Sequence, residues 1–264
     1  MANDLSLNTT RTEQQIYAAQ DTAAKMQLER SLVISLRKFY RKLSSDFNVV
    51  YKQLGHPISA FAYQSELQDI LEEHYKKVIA RFSKRLRRAS IKSFKQDEND
   101  SSIDRELNQF IASYAGVRAA LISQTNEDEI NRAVIDASDL VDATSREQVA
   151  DLATELIIAN GYDRADTIAL TETQIPAEKT KEVELAAVAA TAAILQTEQT
   201  HEKVWIAVLD QKTRLGHVFA DGQVVSADAP FLVDGEYLRF PGDPNGSPGN
   251  IINCRCASVP KIRG

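Results

Sequence analysis

The sequence predicts a mostly α-helical protein of the α+β class, with long N-terminal helices and a small C-terminal antiparallel β module packed on helices. Three observations carry that expectation. Apolar residues recur at helical steps through most of the chain, the period turns extended at Val204, and Asp-Gly pairs punctuate the extended segment. Leu28, Leu32, Leu36, Phe39, Leu43, Phe47 and Val50 make one helical stripe, and Leu67, Leu71, Tyr75, Val78, Phe82 and Leu86 make a second. Gly55-His56-Pro57 separates them, so two antiparallel helices sharing an apolar seam are expected. Ile103, Leu107, Phe110, Ile111, Tyr114, Val117 and Leu121 form the face of a third helix. Asn126 with Glu129 and Ser145 with Gln148 have capping-box spacing and predict two further helix starts, the latter helix closing at Gly161. Pro176 then opens an Ala-rich helix over 178–197. Beyond it, the runs 204–209, 217–220, 224–226, 231–233, 237–240 and 257–259 read as short strands. Asp221-Gly222 and Asp234-Gly235 suit tight hairpin turns because Asp and Gly tolerate positive φ, and the Pro- and Gly-rich stretch 241–249 reads as a loop.

With 264 residues, 43% of them hydrophobic, the chain can bury a substantial core in one large or two ordinary domains. No run has the roughly 18 apolar residues of a membrane span, and the N-terminus lacks the basic and apolar regions of a signal peptide. Synthesis and retention in the cytoplasm of the host cell are therefore expected, unless a particle carries the protein out. Its two cysteines, Cys254 and Cys256, stand one residue apart, where a disulfide would close a strained ring; reduced thiols are expected.

The net charge of −6 conceals three blocks. Residues 1–95 hold 17 Lys and Arg against 9 Asp and Glu, residues 96–200 hold 7 against 21, and residues 201–264 hold 7 against 7. Together with the polar stretch Gln96 to Ser102, this sets a basic helical domain 1–95 apart from an acidic helical region 96–160; a helical plus β module 161–264 follows, its start being what the family resemblance given below implies. Arg81, Lys84, Arg85, Arg87, Arg88 and Lys92 crowd the end of the second helix. Cations there complement the negative end of the helix dipole. They also make a candidate surface for the phosphates of double-stranded DNA or for an acidic protein partner.

The residue types that carry chemistry collect in the last quarter. Asp210, Arg214 and His217 are close enough in sequence to meet around one turn, and an Asp-Arg pair there would be bidentate. One reading makes Asp210, Arg214, His217 and Asn253 a buried hydrogen-bond network that fixes loops. Another makes Cys254, Cys256, His217 and Asp210 the four ligands of a structural zinc; otherwise no cofactor is expected. A Cys-His pair can also be a nucleophile and base, but no orienting third residue or oxyanion loop accompanies it. P-loop, H-E-x-x-H and G-x-S-x-G motifs are absent from the sequence, so no catalytic residue is assigned and the chain is read as a non-enzyme.

Lys203, Trp205, Asp210, Arg214, His217, Asp221, Gly222, Phe231, Gly235, Pro241, Gly242 and Asp243, leading into Asn253-Cys254-Arg255-Cys256, form an ordered pattern. The pattern resembles the C-terminal module of the phage Mu F-like minor head proteins. The resemblance covers roughly 161–261; Ile168-Ala169-Leu170-Thr171-Glu172 is similar to a helical element of the family, with Leu170 where an Arg is usual. It implies a structural minor capsid protein of a tailed bacteriophage, assembled in the bacterial cytoplasm and located inside the head at the portal vertex. It also implies a role in head assembly and genome packaging or ejection. The implied partners are the portal protein, the major capsid protein or scaffold, and packaged double-stranded DNA, with several copies per particle. Two rival readings are a zinc-dependent hydrolase or toxin-like transferase carried in the head, and a DNA-binding adaptor. Toxin domains in related architectures occupy chain beyond the module, whereas here eight residues follow Cys256.

Overall fold

The computed structural model describes residues 10–90, 100–141 and 145–263. Four long helices, α1 (Arg11–Leu54), α2 (Gln64–Ser90), α3 (Asp100–Leu140) and α4 (Arg146–Ile194), precede β1 (Thr200–Ile206). After β1 come α5 (Leu215–Ala220), β2 (Val224–Ser226), β3 (Phe231–Val233), β4 (Glu236–Leu238), α6 (Pro248–Ile251) and β5 (Ala257–Arg263). The protein is mostly helical with a small antiparallel β module, as the periodicity predicts. Among the described residues no helix is long and apolar enough to cross a membrane.

The chain forms two compact units: Met1–Leu28, Tyr75–Gln109 and Leu170–Gly264 make one, and Glu29–His74 with Phe110–Ala169 make the other. Each of α1 to α4 contributes to both units, so the units are discontinuous in sequence and do not follow the consecutive division at 95 and 160. Most of the polar stretch expected to mark a boundary, 91–99, lies outside the described residues.

In the second unit, α1 and α2 run antiparallel: Tyr63, in the 3-10 turn Ala60–Tyr63 just before α2, donates to Asp46, and one step along in each helix Lys42 meets Glu66. Gly55, at φ +77, stops α1 by donating its N–H to Tyr51 O. Leu32, Leu36, Phe39, Leu43, Phe47, Leu67 and Leu71 are buried, as their stripes predict. Asn126 does not start a helix; it lies within α3, buried, accepting from Tyr40 Oη at 3.1 Å and Arg164 at 2.5 Å. Its side chain is engaged by other helices and does not compete for its own backbone. Ser145 does cap α4, accepting the Gln148 N–H at 3.4 Å. Gly161 does not end that helix. A Cβ there would come within 2.5 Å of the Tyr40 ring, so the glycine serves close helix packing.

Pro176 likewise stands inside α4 and not at a helix start. A proline in a helix interior costs roughly 3 kcal/mol. The surrounding turns are held from outside: every residue from Thr171 to Glu178 is buried, and Gln174 donates to Pro241 O and Cys256 O at 3.1 and 2.8 Å. Burial and these bonds outweigh the local penalty.

The sheet has the order β2-β1-β5, all antiparallel, with Trp205 opposite Ser258 and Val204 opposite both Val224 and Val259. As the central strand, β1 is covered on both faces. Val204 and Ile206 pack with Tyr17 and Val259, while Trp205 and Ala207 pack with Phe231, Val233 and Leu238. Pro260 is tolerated because β5 is an edge strand. The β3-β4 hairpin turns through Asp234 (φ 50) and Gly235 (φ 80), the two positive values its Asp-Gly pair predicts. Residues 217–220 are not a strand but belong to α5, and Asp221-Gly222 is the exit of that helix, not a hairpin. Gly216 lets α5 approach the hairpin, since a Cβ there would lie 2.5 Å from Asp234 Cβ.

Beneath this sheet lies a buried ion cluster that no stripe in the sequence predicts. Lys181 Nζ bonds Asp21 at 2.6 Å and Ser258 O at 2.8 Å, and pairs with Glu178 at 2.6 Å; Lys25 bonds Glu178 at 2.6 Å and Gln174 at 2.7 Å. Glu178 Oε2 in turn accepts the N–H and hydroxyl of Ser258 at 2.9 and 2.7 Å. Burial opposes the charged form of Glu178, but Lys181 and Lys25 outweigh it and hold the carboxyl below its ordinary range. The stabilisation from this carboxylate is thus present above the unfolded pKa and lost as pH falls through the folded one. Glu178→Gln is expected to cost about 3 to 5 kcal/mol, because it takes from the buried Lys25 ammonium its paired carboxylate and leaves Lys181 with Asp21 alone. Denaturant unfolding at neutral pH measures that loss, and the variant should also lack the wild-type protein's decline on acidification through this carboxylate.

Candidate functional site

The site is built on Trp205, fully buried on β1. His217 stands edge-on to its ring with centroids 5.6 Å apart, and Phe231 does the same at 5.3 Å. The short helix α5 carries His217 inward, and the chain preceding β5 brings Cys254 and Cys256 to the same point. His217 Nδ1 lies 3.4 Å from Cys256 Sγ and 3.8 Å from Cys254 Sγ. On the far side of the ring, Asn250 Oδ1 sits 3.3 Å from Nε2. Being an acceptor, it places the ring proton on Nε2 and turns the Nδ1 lone pair toward the sulfurs. The cysteines are free thiols. A hydrogen bond from the Cys256 thiol holds Cys254 below the usual thiol range against its burial, whereas that same bond and burial push Cys256 up.

Asp210 does not join this cluster. It is largely solvent-exposed and forms a bidentate pair with Arg255, both contacts 2.6 Å, which holds its carboxyl well below the usual range. The expected Asp210–Arg214 pair is therefore replaced, and Arg214 instead donates to Ile252 O. Proximity in sequence misleads here because Asp210 is turned back on its own loop, accepting from Lys212 N and Thr213 Oγ1, and so faces Arg255. Arg255, between the two cysteines, points away from the sulfurs and ties the tail to this loop.

The other residues of the pattern set backbone geometry. Asn253 adopts φ +58, a value asparagine tolerates better than most residues, and its N–H donates to Thr171 Oγ1 at 3.3 Å. Asp221 accepts the Ala207 N–H at 2.8 Å and pairs with Arg11, while Gly222, at φ +82, donates to Trp205 O. Asp243 accepts from Arg239 N at 2.8 Å and from both Asn245 nitrogens, pinning the Pro-Gly loop. Sequence reasoning missed Asn250, which fixes the His217 tautomer, and Gln174, Glu178, Lys181 and Asp21, which anchor the module from below. Asn250 sits in the four-residue helix α6, too short to show a pattern in the sequence; the polar run 171–184 was the available signal for the others.

Of the basic cluster, Arg81 and Lys84 are exposed. Arg85 is not: it pairs with Asp21 at 2.6 Å and lies over the Tyr17 ring at 4.4 Å. The side chains of Arg87 and Arg88, and all of Lys92, lie outside the described residues.

No protein-family profile, curated protein or solved structure matches this chain.

Lys203 presents a separate piece of electrostatics. It is buried, donates to Arg239 O at 2.8 Å and lies 5.3 Å above the Phe231 ring. Burial lowers its pKa from 10.5 to about 8 against the opposing pull of Glu182. Between those two values the unfolded chain binds more protons than the folded one, so stability should rise with pH across that window. Lys203→Met is expected to fold and to lose that alkaline gain, which paired unfolding curves from about pH 8 to 10.5 would display.

Proposed function

We propose that this chain is a structural minor head protein of a tailed bacteriophage, assembled into the head at the portal vertex, where it serves head assembly and genome packaging or ejection. The observation that supports the reading best is the convergence of the Mu F-like pattern. Residues from Lys203 to Cys256, scattered over several elements, form one module in which Trp205, His217, Cys254 and Cys256 share a core and Asp210 pairs with Arg255. Asp221, Gly222, Asp243 and Asn253 each hold a turn there. A pattern that resolves into mutually dependent structural roles is more specific than the same residues matched one by one.

The architectural role is favoured over the hydrolase and transferase readings by burial. His217, Cys254 and Cys256 are each no more than 3% exposed, so a macromolecular substrate has no path to them without opening the module. Arg81 and Lys84, exposed on α2, are the remaining described cations of the basic run for contact with packaged DNA or an acidic head component.

Mass spectrometry of procapsids and mature heads, purified from cells producing the chain with its phage, should find several copies per particle. Absence from every assembly intermediate would overturn the reading. Arg81→Glu with Lys84→Glu should leave the circular dichroism spectrum unchanged, as exposed substitutions do, and reduce incorporation into heads.

A further inference from the structure

We infer that His217, Cys254 and Cys256 bind one zinc ion, which clamps α5 to the C-terminal tail. The three donor atoms lie within 4.8 Å of one another, all three residues are buried, and they are the one such described group of His, Cys, Asp or Glu side chains. Their spacing fits the metal. With zinc–sulfur bonds of about 2.3 Å and zinc–nitrogen bonds of about 2.05 Å, the N–S edge of a tetrahedron is about 3.6 Å. The observed Nδ1–Sγ distances of 3.4 and 3.8 Å bracket that value. Orientation fits as well, because the Nε2 proton is held by Asn250, so that Nδ1 offers its lone pair, the arrangement a ligating imidazole requires.

The alternation of the tail completes the case. Cys254 and Cys256 face inward while Arg255, between them, faces outward to Asp210, so the positive guanidinium is kept off the metal. Two thiolates and Zn²⁺ are neutral together, which suits a cluster otherwise made of Trp205, Phe231, Val233 and Leu238. Asp210 is not a ligand. The ligands span 37 and 39 residues of chain, so the ion closes long loops and its binding energy becomes folding energy. This inference does not depend on the phage assignment.

Elemental analysis of full-length protein, produced in zinc-supplemented medium and purified reduced without chelator, tests it. About one zinc per chain is expected, with a more than tenfold loss in Cys254→Ser, Cys256→Ser and His217→Ala. Asn250→Ala, which removes the bond that orients the imidazole together with a hydrogen bond to Glu236, should weaken zinc binding about 10- to 100-fold while keeping all three ligands. Cobalt(II) added to the metal-free wild type should give a thiolate-to-metal charge-transfer band and tetrahedral visible absorption, and zinc should abolish both. Chelator should lower the melting temperature by about 5 °C or more. The cobalt spectrum and zinc content of the wild type decide the matter even if a ligand variant fails to fold. Wild-type protein with free thiols, only trace zinc and no cobalt band would overturn the inference.

Discussion

The β module depends on the buried ion cluster beneath it. Its strands are short, three residues each in β2, β3 and β4, and so supply few ladder bonds of their own. β5 pairs with β1 along one edge and is held on its other by the Ser258 backbone, whose N–H goes to Glu178 and whose carbonyl accepts from Lys181, both on α4. Those two side chains are charged and buried, and each is neutralised through α1: Lys25 meets Glu178 and Asp21 meets Lys181. Arg85 adds a third cation from α2 at the rim of the cluster. A hydrophobic substitute for this cluster could match its volume, but it could not satisfy the Ser258 donors and acceptor. The charges therefore select one placement of the final strand over the alternatives that apolar packing would allow.

That dependence explains which parts of the sequence were legible. The helices were, because stripes such as Leu32 to Phe47 report a face and a face reports burial without knowledge of a partner. Their ends were not. Asn126, Gly161 and Pro176 all carry local signals of a boundary, and at each a distant group reverses the signal: Arg164 and Tyr40 on Asn126, the Tyr40 ring against Gly161, and the buried bonds of Gln174 around Pro176. The error at His217 has a different origin. A helix of six residues is too short to show a period of 3.6, and Val218 and Phe219 are of the β-branched and aromatic types that favour strands. Asp234-Gly235 is legible because its demand is local: two adjacent positive φ values and nothing else.

The candidate site shows the same division within one cluster. His217, Cys254 and Cys256 could be grouped from their chemistry alone. Which acidic group accompanied them could not, because Asp210 is near in sequence to both Arg214 and His217 and takes Arg255 instead. Carboxylates prefer guanidinium when both oxygens can be met in plane, and a residue facing away from the cysteines offered that geometry. Asn250 was invisible for a related reason. Its role is defined by the atom it leaves free on its neighbour, here Nδ1 of His217, and no spacing rule encodes it.

A polar pattern spread from Lys203 to Cys256 is thus what a small module of this kind requires. Its apolar core is one tryptophan with a handful of neighbours, too little to define where its loops and a two-strand hairpin go. Positions must be set by groups with directional demands. Some are local: Gly222, Gly235 and Asn253 supply left-handed turns, and Asp243 gathers N–H groups from the loop around it. Others join distant segments: Arg214 reaches Ile252, Arg255 reaches Asp210, and Lys203 reaches Arg239. Each long-range pair brackets part of another, so displacing one segment strains the bonds of the rest. Directional groups arranged in overlapping pairs can hold a loop-rich module in one conformation, which the hydrophobic effect, having no direction, cannot do alone.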